Sequence, residues 1–548
     1  MKSILKKFKK QLSVSALAIF VGVASFSFVD NYFEVSKNLE IFTAAYREVD
    51  RSYVDPIEPG KMIRTAIEAM FKSLDPYTNF FSESEIEDFR FMTTGKYGGI
   101  GAVIGNIDGK TVVIDPYEGF PANKAGLLPG DEILEIDGTK VAGKDNDGIS
   151  KLLKGSPKTK VSLSILKFGS STPEKITIER EEITLSPVTY HGMINSEVGY
   201  IQFESFTEGS AEKIKKAFTD LKAKGMKKLI LDLRNNGGGS LDEAVNIVGM
   251  FVPKNSLVVD TRGKRAEYSQ KYFTRSQPID TEIPLVVLVN ENSASASEIV
   301  SGCIQDYDRG VVIGARTFGK GLVQSVRPLV YNTQMKVTTA KYYTPSGRCV
   351  QEIDYSNGEH KKTIAAKRET FKTSKGRTVF GGGGVTPDVA VLSDSLHEIS
   401  ATLLEKNLIF LYAAQFRRKE KSPSSPKEIH LNDQQYQQFI QFVESKNIDF
   451  QTETEKKLNA LIASAKDDDY YERISTSIEE LKKTISNEKK RDLIHFKKEI
   501  KDLLESEIAF HYFYQRGRVE QSWSNDVVLQ KGINTLSQLE EYQKIIRP

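Results

Sequence analysis

Apolar residues recur at three- and four-residue steps between about Glu34 and Arg90: at Leu39, Phe42, Ala45, Tyr46 and Val49, then at Met62, Ile63, Ala66, Ile67 and Met70. That spacing is helical, and Asp55-Pro56 and Asp75-Pro76 punctuate it. Short β-rich runs follow at Thr111–Ile114 and Val161–Leu166. From Ser196 to about Val391 strand and helix signals alternate. Val198–Phe203, Leu229–Leu233, Leu285–Val289 and Val311–Gly314 read as strands, the second broken only by Asp232. Ile214, Ala217, Phe218 and Leu221 mark one face of a helix, and Leu241–Phe251 and Ser297 to about Tyr307 read as two more. Such alternation implies a largely parallel sheet with helices on its faces. After about Ser395 glycine becomes scarce and Lys and Glu dense, with helical spacing at Ile474, Ile478, Leu481 and Ile485 and a linker at Lys421–Pro426. An all-helical appendage with solvated charged faces is expected there.

The chain has 548 residues, too many for one hydrophobic core. Its 76 basic and 73 acidic residues nearly cancel, so a nucleic-acid footprint is not expected. Two cysteines, Cys303 and Cys349, are too few for a disulfide framework and lack metal-ligand spacing, which favours two buried thiols over a single disulfide, the open alternative. Six scattered histidines form no metal motif, so no metal or cofactor is expected. At the N-terminus Lys2, Lys6, Lys7, Lys9 and Lys10 precede an uncharged run from Gln11 to Val29, the layout of an export signal. The run is near the minimum that spans a bilayer and no clear cleavage site follows, so cleaved signal and retained anchor both stay open. The basic side is expected to stay in the cytoplasm and the remainder to be exported.

Lys96-Tyr97-Gly98-Gly99-Ile100-Gly101-Ala102-Val103 is rich in small residues. A turn-rich Gly126-Leu127-Leu128-Pro129-Gly130-Asp131 and the run Ile133-Leu134-Glu135-Ile136-Asp137-Gly138 come after it. The whole, from about Phe91 to Phe168, resembles a PDZ domain. In that reading Gly99, Ile100, Gly101 and Ala102 form the carboxylate-binding loop. Small residues let successive N–H groups converge on a terminal carboxylate while a strand edge pairs with the peptide. For the tetrapeptide alone, an ordinary glycine-rich hairpin is the simpler explanation.

Ser295 lies between the strand Leu285–Val289 and a helix, which places its hydroxyl at the carboxyl end of the sheet, where α/β sites are built. The helix N-terminus there offers free N–H groups to an oxyanion. Ser295-Ala296-Ser297-Glu298 also fits a capping box, which would make Ser295 a helix cap only. Lys320, in Thr317-Phe318-Gly319-Lys320-Gly321, supplies a candidate base. An ordinary lysine has a pKa of about 10.4, and bringing it to about 7 takes roughly 4–5 kcal/mol of destabilisation of the ammonium. Phe318, Leu322 and Val323 would provide apolar surface, and Gly319 and Gly321 close packing. Gln324 could hold the amine through its amide oxygen. A surface lysine is the bland alternative.

Asn292-Ser293-Ala294-Ser295-Ala296-Ser297-Glu298-Ile299 and Phe318-Gly319-Lys320-Gly321-Leu322-Val323-Gln324 resemble the signature blocks of the carboxy-terminal processing (tail-specific) serine proteases. So do Leu74-Asp75-Pro76, Asp232-Leu233-Arg234-Asn235-Asn236-Gly237-Gly238-Gly239, Lys341 to Arg348 and Gly381 to Asp388. The resemblance spans about Glu34 to Val391 in the family's order. It implies Ser295 as nucleophile, Lys320 as general base and Gln324 as its orienting partner. It implies an oxyanion hole from the N–H of Ala296 and of Gly238, with Gly239 the neighbouring candidate. The family often has proline where this chain has Gly237, which leaves that loop freer.

The expected architecture is multidomain α/β: a ClpP/crotonase-like protease core with a PDZ domain, N-terminal helices and an all-α C-terminal region. The boundaries read are 1–30 (signal peptide or signal anchor), 31–90 (helical segment), 91–170 (PDZ), 171–395 (protease core) and 396–548 (helical domain). The expected activity is an exported endopeptidase in the periplasm of a bacterial cell envelope, soluble or tethered to the inner membrane. Its partners would be protein substrates with apolar C-terminal tails; an adaptor protein and oligomerisation stay open. Two other classes compete: a non-catalytic PDZ scaffold, and a crotonase-like acyl-CoA enzyme, which export from the CoA-containing cytoplasm disfavours.

Overall fold

The computed structural model describes residues 32–356, 360–364, 368–392 and 396–547. The expected targeting segment, residues 1–30, lies outside them. The chain divides into two compact units, ending and beginning at Phe80 and Phe81. In the first, residues 32–52 and Pro59–Lys72 are helical, as the spacing predicts. The apolar stripe of the first helix is exposed at Leu39, Phe42 and Val49. None of the described helices is long and apolar enough to cross a membrane.

In the second unit a helix, Ile86–Thr94, leads into the PDZ-like sheet. Its strands are β1 (Ala102–Ile107), β2 (Lys110–Pro116), β3 (Glu132–Ile136), β4 (Lys160–Leu166) and β5 (Glu174–Glu179), in that spatial order. Helices α1 (Pro121–Lys124) and α2 (Asn146–Leu153) accompany them. The sheet runs past the boundary expected at residue 170. A turn with Gly169 at φ +80° sends the chain back, and β5 pairs antiparallel with β4. Lys96–Gly99 pairs with Glu181–Thr184, so the strands entering and leaving this domain form a two-stranded neck.

The core sheet has the order β6 (Val188–Met193), β7 (Val198–Phe203), β8 (Lys228–Asp232), β11 (Leu285–Val289), β12 (Val311–Gly314) and β15 (Val389–Ala390). It is parallel except for the β6–β7 pair. Helices α3 (Ser210–Ala223), α4 (Leu241–Val248) and α5 (Ala296–Asp306) cover one face, against Leu229, Leu231, Leu285, Val287 and Val289. A second, antiparallel sheet joins β9 (Leu257–Gly263), β10 (Lys271–Phe273), β13 (Leu322–Pro328) and β14 (Gln334–Tyr343). Val258, Val259 and Tyr342 carry its apolar face into the same cluster. Helix α5, which starts at the candidate serine, is buried along its whole length.

The C-terminal section is helical, with α6 (Glu398–Glu405), α7 (Leu408–Lys419), α8 (Asp433–Glu444), α9 (Glu453–Asp467), α10 (Tyr471–Lys489), α11 (Lys497–Ser522), α12 (Val527–Ser537) and α13 (Leu539–Ile546). It is not an appendage. Strand residues alternate between faces, and Tyr200, Ile230, Val286, Leu288 and Ile313 face away from α3–α5. They pack on Trp523, Val528, Leu529, Leu536 and Tyr542. A continuous apolar strand such as Leu285–Val289 requires cover on both faces, and α12 and α13 supply the second cover. The same region also meets the PDZ-like sheet. Phe410 packs with Ile107 and Val112, and Arg418 donates to the buried Asp131 Oδ1 at 2.6 Å.

Helix α12 turns Gly532 towards the sheet. A methyl there would meet Leu288, Val286 and Ile230 at 3.4–3.5 Å, ordinary contact. Gly532→Ala is therefore expected to leave stability unchanged or raise it by up to about 1 kcal/mol, the helix-propensity gain. Gly532→Leu should cost about 1–3 kcal/mol by overpacking. Thermal unfolding of the two variants checks the pair, and equal midpoints would show that the helix does not seat this closely.

Candidate active site

Three serines stand in the loop after β11, and their surroundings differ. Ser293 is fully buried and donates to the Leu233 carbonyl at 2.8 Å. Ser297 is fully buried and donates to the Asn236 carbonyl at 2.8 Å. Ser295 alone is half-exposed, and its backbone lies at φ +57°, ψ −112°, a conformation L side chains rarely adopt. Holding it costs about 1–3 kcal/mol, and a strained serine between strand and helix is the geometry of an exposed nucleophile. The first helical N–H groups are served by its carbonyl, which accepts from Glu298 N–H at 2.8 Å and Ile299 N–H at 2.9 Å. The buried Tyr342 hydroxyl donates to that same carbonyl at 3.1 Å.

Glu298 joins this serine to the lysine loop. Its side chain is completely buried and accepts four hydrogen bonds. Oε2 takes the N–H of Ser295 at 2.9 Å and the N–H of Lys320 at 2.8 Å. Oε1 takes the Thr317 hydroxyl at 2.6 Å and the N–H of Gly319 at 2.8 Å. Burial pushes this carboxyl above its ordinary pKa, against the four bonds that pull it down. The capping glutamate thus binds Lys320 as well, a role that its local S-x-x-E signal did not reveal.

Lys320 is half-buried. Gly319 lies at φ +89°, where a methyl would meet Glu352 Cβ at 2.7 Å; one at Gly321 would meet the Gln351 nitrogen at 2.8 Å. Both glycines are required by close packing, as expected. Leu322 is buried and Val323 packs on the core. Phe318, expected to add apolar cover, is 46% exposed instead, because its N–H reaches the Ser293 carbonyl and turns the side chain outward. Gln324 follows an irregularity in the β13–β14 pairing at Val323/Gln324, and its Nε2 donates to Thr338 Oγ1 at 3.3 Å. Its amide is therefore oriented by the hairpin.

The glycine loop lies against Ser295. A methyl on Gly238 (φ +99°) would meet Ser295 Cβ at 2.8 Å and the Ala296 nitrogen at 2.9 Å, so only glycine fits. Gly238 donates its own N–H to Asn236 Oδ1 at 2.9 Å. Gly239 (φ +144°) is exposed, and the buried Asn236 holds the loop by donating to the Phe203 carbonyl at 2.8 Å. Ala294 N–H and Ser297 Oγ both donate to the Asn236 carbonyl, lacing the loop to the serine segment.

Two further motif blocks, Lys341 to Arg348 and Gly381 to Asp388, hold the far end of α5. Asp306 Oδ2 accepts from Thr344 Oγ1 and Ser346 N–H, and the buried Arg348 donates to Gln305 Oε1. Asp388 accepts from Gln305 Nε2 and Val312 N–H. The histidines pair elsewhere: His191 with Asp220, His397 with Glu499, His430 with Glu505 and His511 with Glu507. Both cysteines are free thiols; Cys303 is buried and Cys349 half-buried. Among the described residues no group of His, Cys, Asp and Glu could hold a metal ion.

A separate groove of about 320 Å³ runs between edge strand β1 and helix α2, bounded by Phe91, Tyr97, Ile100, Tyr117 and Leu153. At its head Gly101 takes φ +72°, where a methyl would strike Phe120 Cβ at 2.6 Å. The carbonyls of Ile100 and Gly101 bond to the N–H groups of Ala122 and Tyr117. Gly99, Ile100, Gly101 and Ala102 thus form one tight turn opening on the groove.

Residues 197–357 match the family described as Peptidase family S41, residues 98–179 a PDZ domain, and residues 399–536 a probable PDZ-protease C-terminal helical domain. A carboxy-terminal-processing protease of Bartonella bacilliformis is 35% identical over 321 residues, which are 58% of this chain and 73% of that protein. A chloroplastic C-terminal processing peptidase of Tetradesmus obliquus is 34% identical over 58% of this chain and 75% of its own. Among solved structures, a photosystem II D1 C-terminal processing protease is 30% identical over 64% of this chain and 92% of its own, with a TM-score of 0.35. With its PDZ domain, its S41 core and that degree of identity, the chain belongs to the carboxy-terminal processing serine proteases.

Proposed function

We propose that this protease is exported and takes hold of protein C-terminal tails in the groove beside α2. It then cleaves a peptide bond near Ser295 through a Ser/Lys dyad. The observation that carries the reading is the single oxygen, Glu298 Oε2, that accepts the backbone N–H groups of both Ser295 and Lys320. It confines two loops from different parts of the chain, beside the bond from Phe318 N–H to the Ser293 carbonyl, and reaction needs just such confinement.

In the reaction, neutral Lys320 takes the Ser295 proton as Oγ attacks the carbonyl carbon, and the carbonyl electron pair moves onto oxygen. Ala296 N–H, at the start of α5, and a glycine N–H from the Gly238–Gly239 pair receive that oxyanion. Gly238 must exchange its bond to Asn236 to serve, whereas Gly239 needs no such exchange. The C–N bond then breaks, the leaving amine takes the proton from Lys320, and water hydrolyses the ester. Gln324, oriented across the hairpin, would hold the lysine amine from the far side. The open edge of β1 suits β-augmentation by a tail, and the Gly99–Ala102 turn suits its carboxylate. The groove's aromatic and aliphatic walls favour apolar last residues. The relatives' names, which specify carboxy-terminal processing, agree with tails as substrates. Periplasmic placement and a tether rest on the N-terminal sequence, and adaptor binding and oligomerisation are left open.

Ser295→Ala and Lys320→Met should each lower hydrolysis of a tail peptide by about 10³-fold or more with unchanged circular dichroism. Undiminished cleavage by Ser295→Ala would remove the nucleophile assignment. A second expectation concerns pH. All four Glu298 partners donate, so only the ionised carboxylate can accept them together, and its pKa is raised by burial. As pH falls, log(kcat/KM) should drop first with a slope of one, for the proton the dyad must lose, then steepen towards two as Glu298 protonates above pH 4.5. The fold should persist through that step. A carboxyl with a raised folded-state pKa binds its proton more tightly folded than unfolded, so its own contribution favours folding as pH falls. A slope that stays at one to pH 4.5 would contradict this.

A further inference from the structure

The glycine loop opposite Ser295 is held from a second side. Arg234 is the last residue before Asn235, which lies at φ +60° and begins the loop. The Arg234 guanidinium reaches two carboxylates. Its Nε lies 3.0 Å from both oxygens of Asp232, and Nη2 lies 2.6 Å from Asp232 Oδ2. Nη1 and Nη2 then donate to Asp526 Oδ1 and Oδ2 at 2.9 and 2.7 Å, a two-pronged pair. Asp232 is buried at the end of β8 and accepts the Tyr200 hydroxyl at 2.7 Å and Arg234 N–H at 2.9 Å. Burial works against the Arg234 charge, but Asp232 and Asp526 more than offset it and raise its pKa.

Asp526 does not belong to the protease core. It caps α12, where its Oδ1 also accepts Leu529 N–H at 2.9 Å. The helix it starts is seated on β8 and β11 through Gly532. The C-terminal helical domain therefore delivers an anion to the residue from which the glycine loop departs. Other restraints on that loop come from the serine segment, which shares the strain at Ser295, where Asn290 Oδ1 accepts Asn235 N–H at 2.9 Å and Asn290 and Asn292 donate to Asn235 Oδ1, and from the end of β7, where Asn236 donates to the Phe203 carbonyl and Phe206 N–H to the Gly238 carbonyl. Asp526 is a fixed point outside that segment.

We propose that Asp526 is a positioning residue for catalysis: through its two-pronged pair with Arg234, it sets residues 235–239 at the distance from Ser295 that oxyanion stabilisation requires. The inference rests on Ser295 as nucleophile. It assigns the helical domain a part in turnover that its cover of the sheet alone would not require.

Asp526→Asn and Asp526→Ser in the full chain separate this role from helix capping. Both keep a good N-cap oxygen, and both lose the paired anion. The expected result is a fall in kcat on a tail peptide of roughly 10- to 100-fold, as for a misplacement of about 1 Å, with KM near wild type. A peptide boronic acid with apolar side chains, which forms a tetrahedral adduct on the serine, should bind weaker by a similar factor. A non-cleavable tail peptide should bind the groove as before, and Asp526→Glu should recover part of kcat. Unchanged kcat and boronate affinity in both variants would overturn the proposal, as would a fall explained by a matching loss of folded protein on thermal unfolding. Ser295→Ala run alongside keeps the two readings apart. If it retains activity, the nucleophile assignment fails; if it is inactive while Asp526→Asn matches wild type, only this inference fails.

Discussion

One buried carboxylate organises the site. Glu298 has no access to water, and an isolated ion in that position would cost several kcal/mol. It is tolerated because four donors converge on it, each charge-assisted bond contributing about 1.5–3 kcal/mol. The balance is cooperative. Removing any one donor leaves the desolvation cost in place and weakens what offsets it, so the hold on the serine turn and the hold on the lysine loop are coupled through Glu298. The strain at Ser295, about 1–3 kcal/mol, can be maintained because its N–H and its carbonyl are both fixed by buried groups, Glu298 and Tyr342.

That arrangement explains why the capping and catalytic readings of Ser295-Ala296-Ser297-Glu298 could not be separated in sequence. The two readings concern different atoms: Glu298 accepts the Ser295 N–H and the carbonyl of Ser295 receives helix N–H groups, whereas the catalytic reading concerns the hydroxyl. The local spacing shows only the first half. The partners Thr317, Gly319 and Lys320 lie some twenty residues on, where no short-range period links them to Glu298. The strands were legible for the opposite reason. Leu285–Val289 is apolar at every position and bounded by loop residues, so length and composition suffice to mark it. Gln324 sat beyond such logic, since an irregularity in strand pairing decides where it points, and that depends on the partner strand.

The C-terminal helices were recognisable as helices but not as part of the core. Their exposed faces are densely charged, and α10 buries only Ile478 of its four spaced apolar residues, with Ile474 and Leu481 exposed. Charge density on such helices says what faces water, not what the narrow apolar stripe touches. The missing information was also present on the other side. Val286 and Leu288 alternate with Leu285, Val287 and Val289, so the second face of the sheet had to be covered by something. Nothing in a strand's sequence says by which segment. The pair Arg234–Asp526, 292 residues apart, is invisible for the same reason.

The site therefore has supports of different kinds on its two sides. Towards the second sheet, Glu298, Tyr342 and the Asp306–Arg348 group fix the helix that carries Ser295, and all of them lie within the protease core. Towards the helical domain, the loop that completes the site is held by an ion pair whose anion comes from α12. The same domain carries Arg418 against Asp131 and Phe410 against Val112 of the PDZ domain, whose direct connections to the core are the two strands of its neck. Helices whose sequence shows mainly surface charge thus touch both the PDZ domain and the residue that precedes the glycine loop beside Ser295.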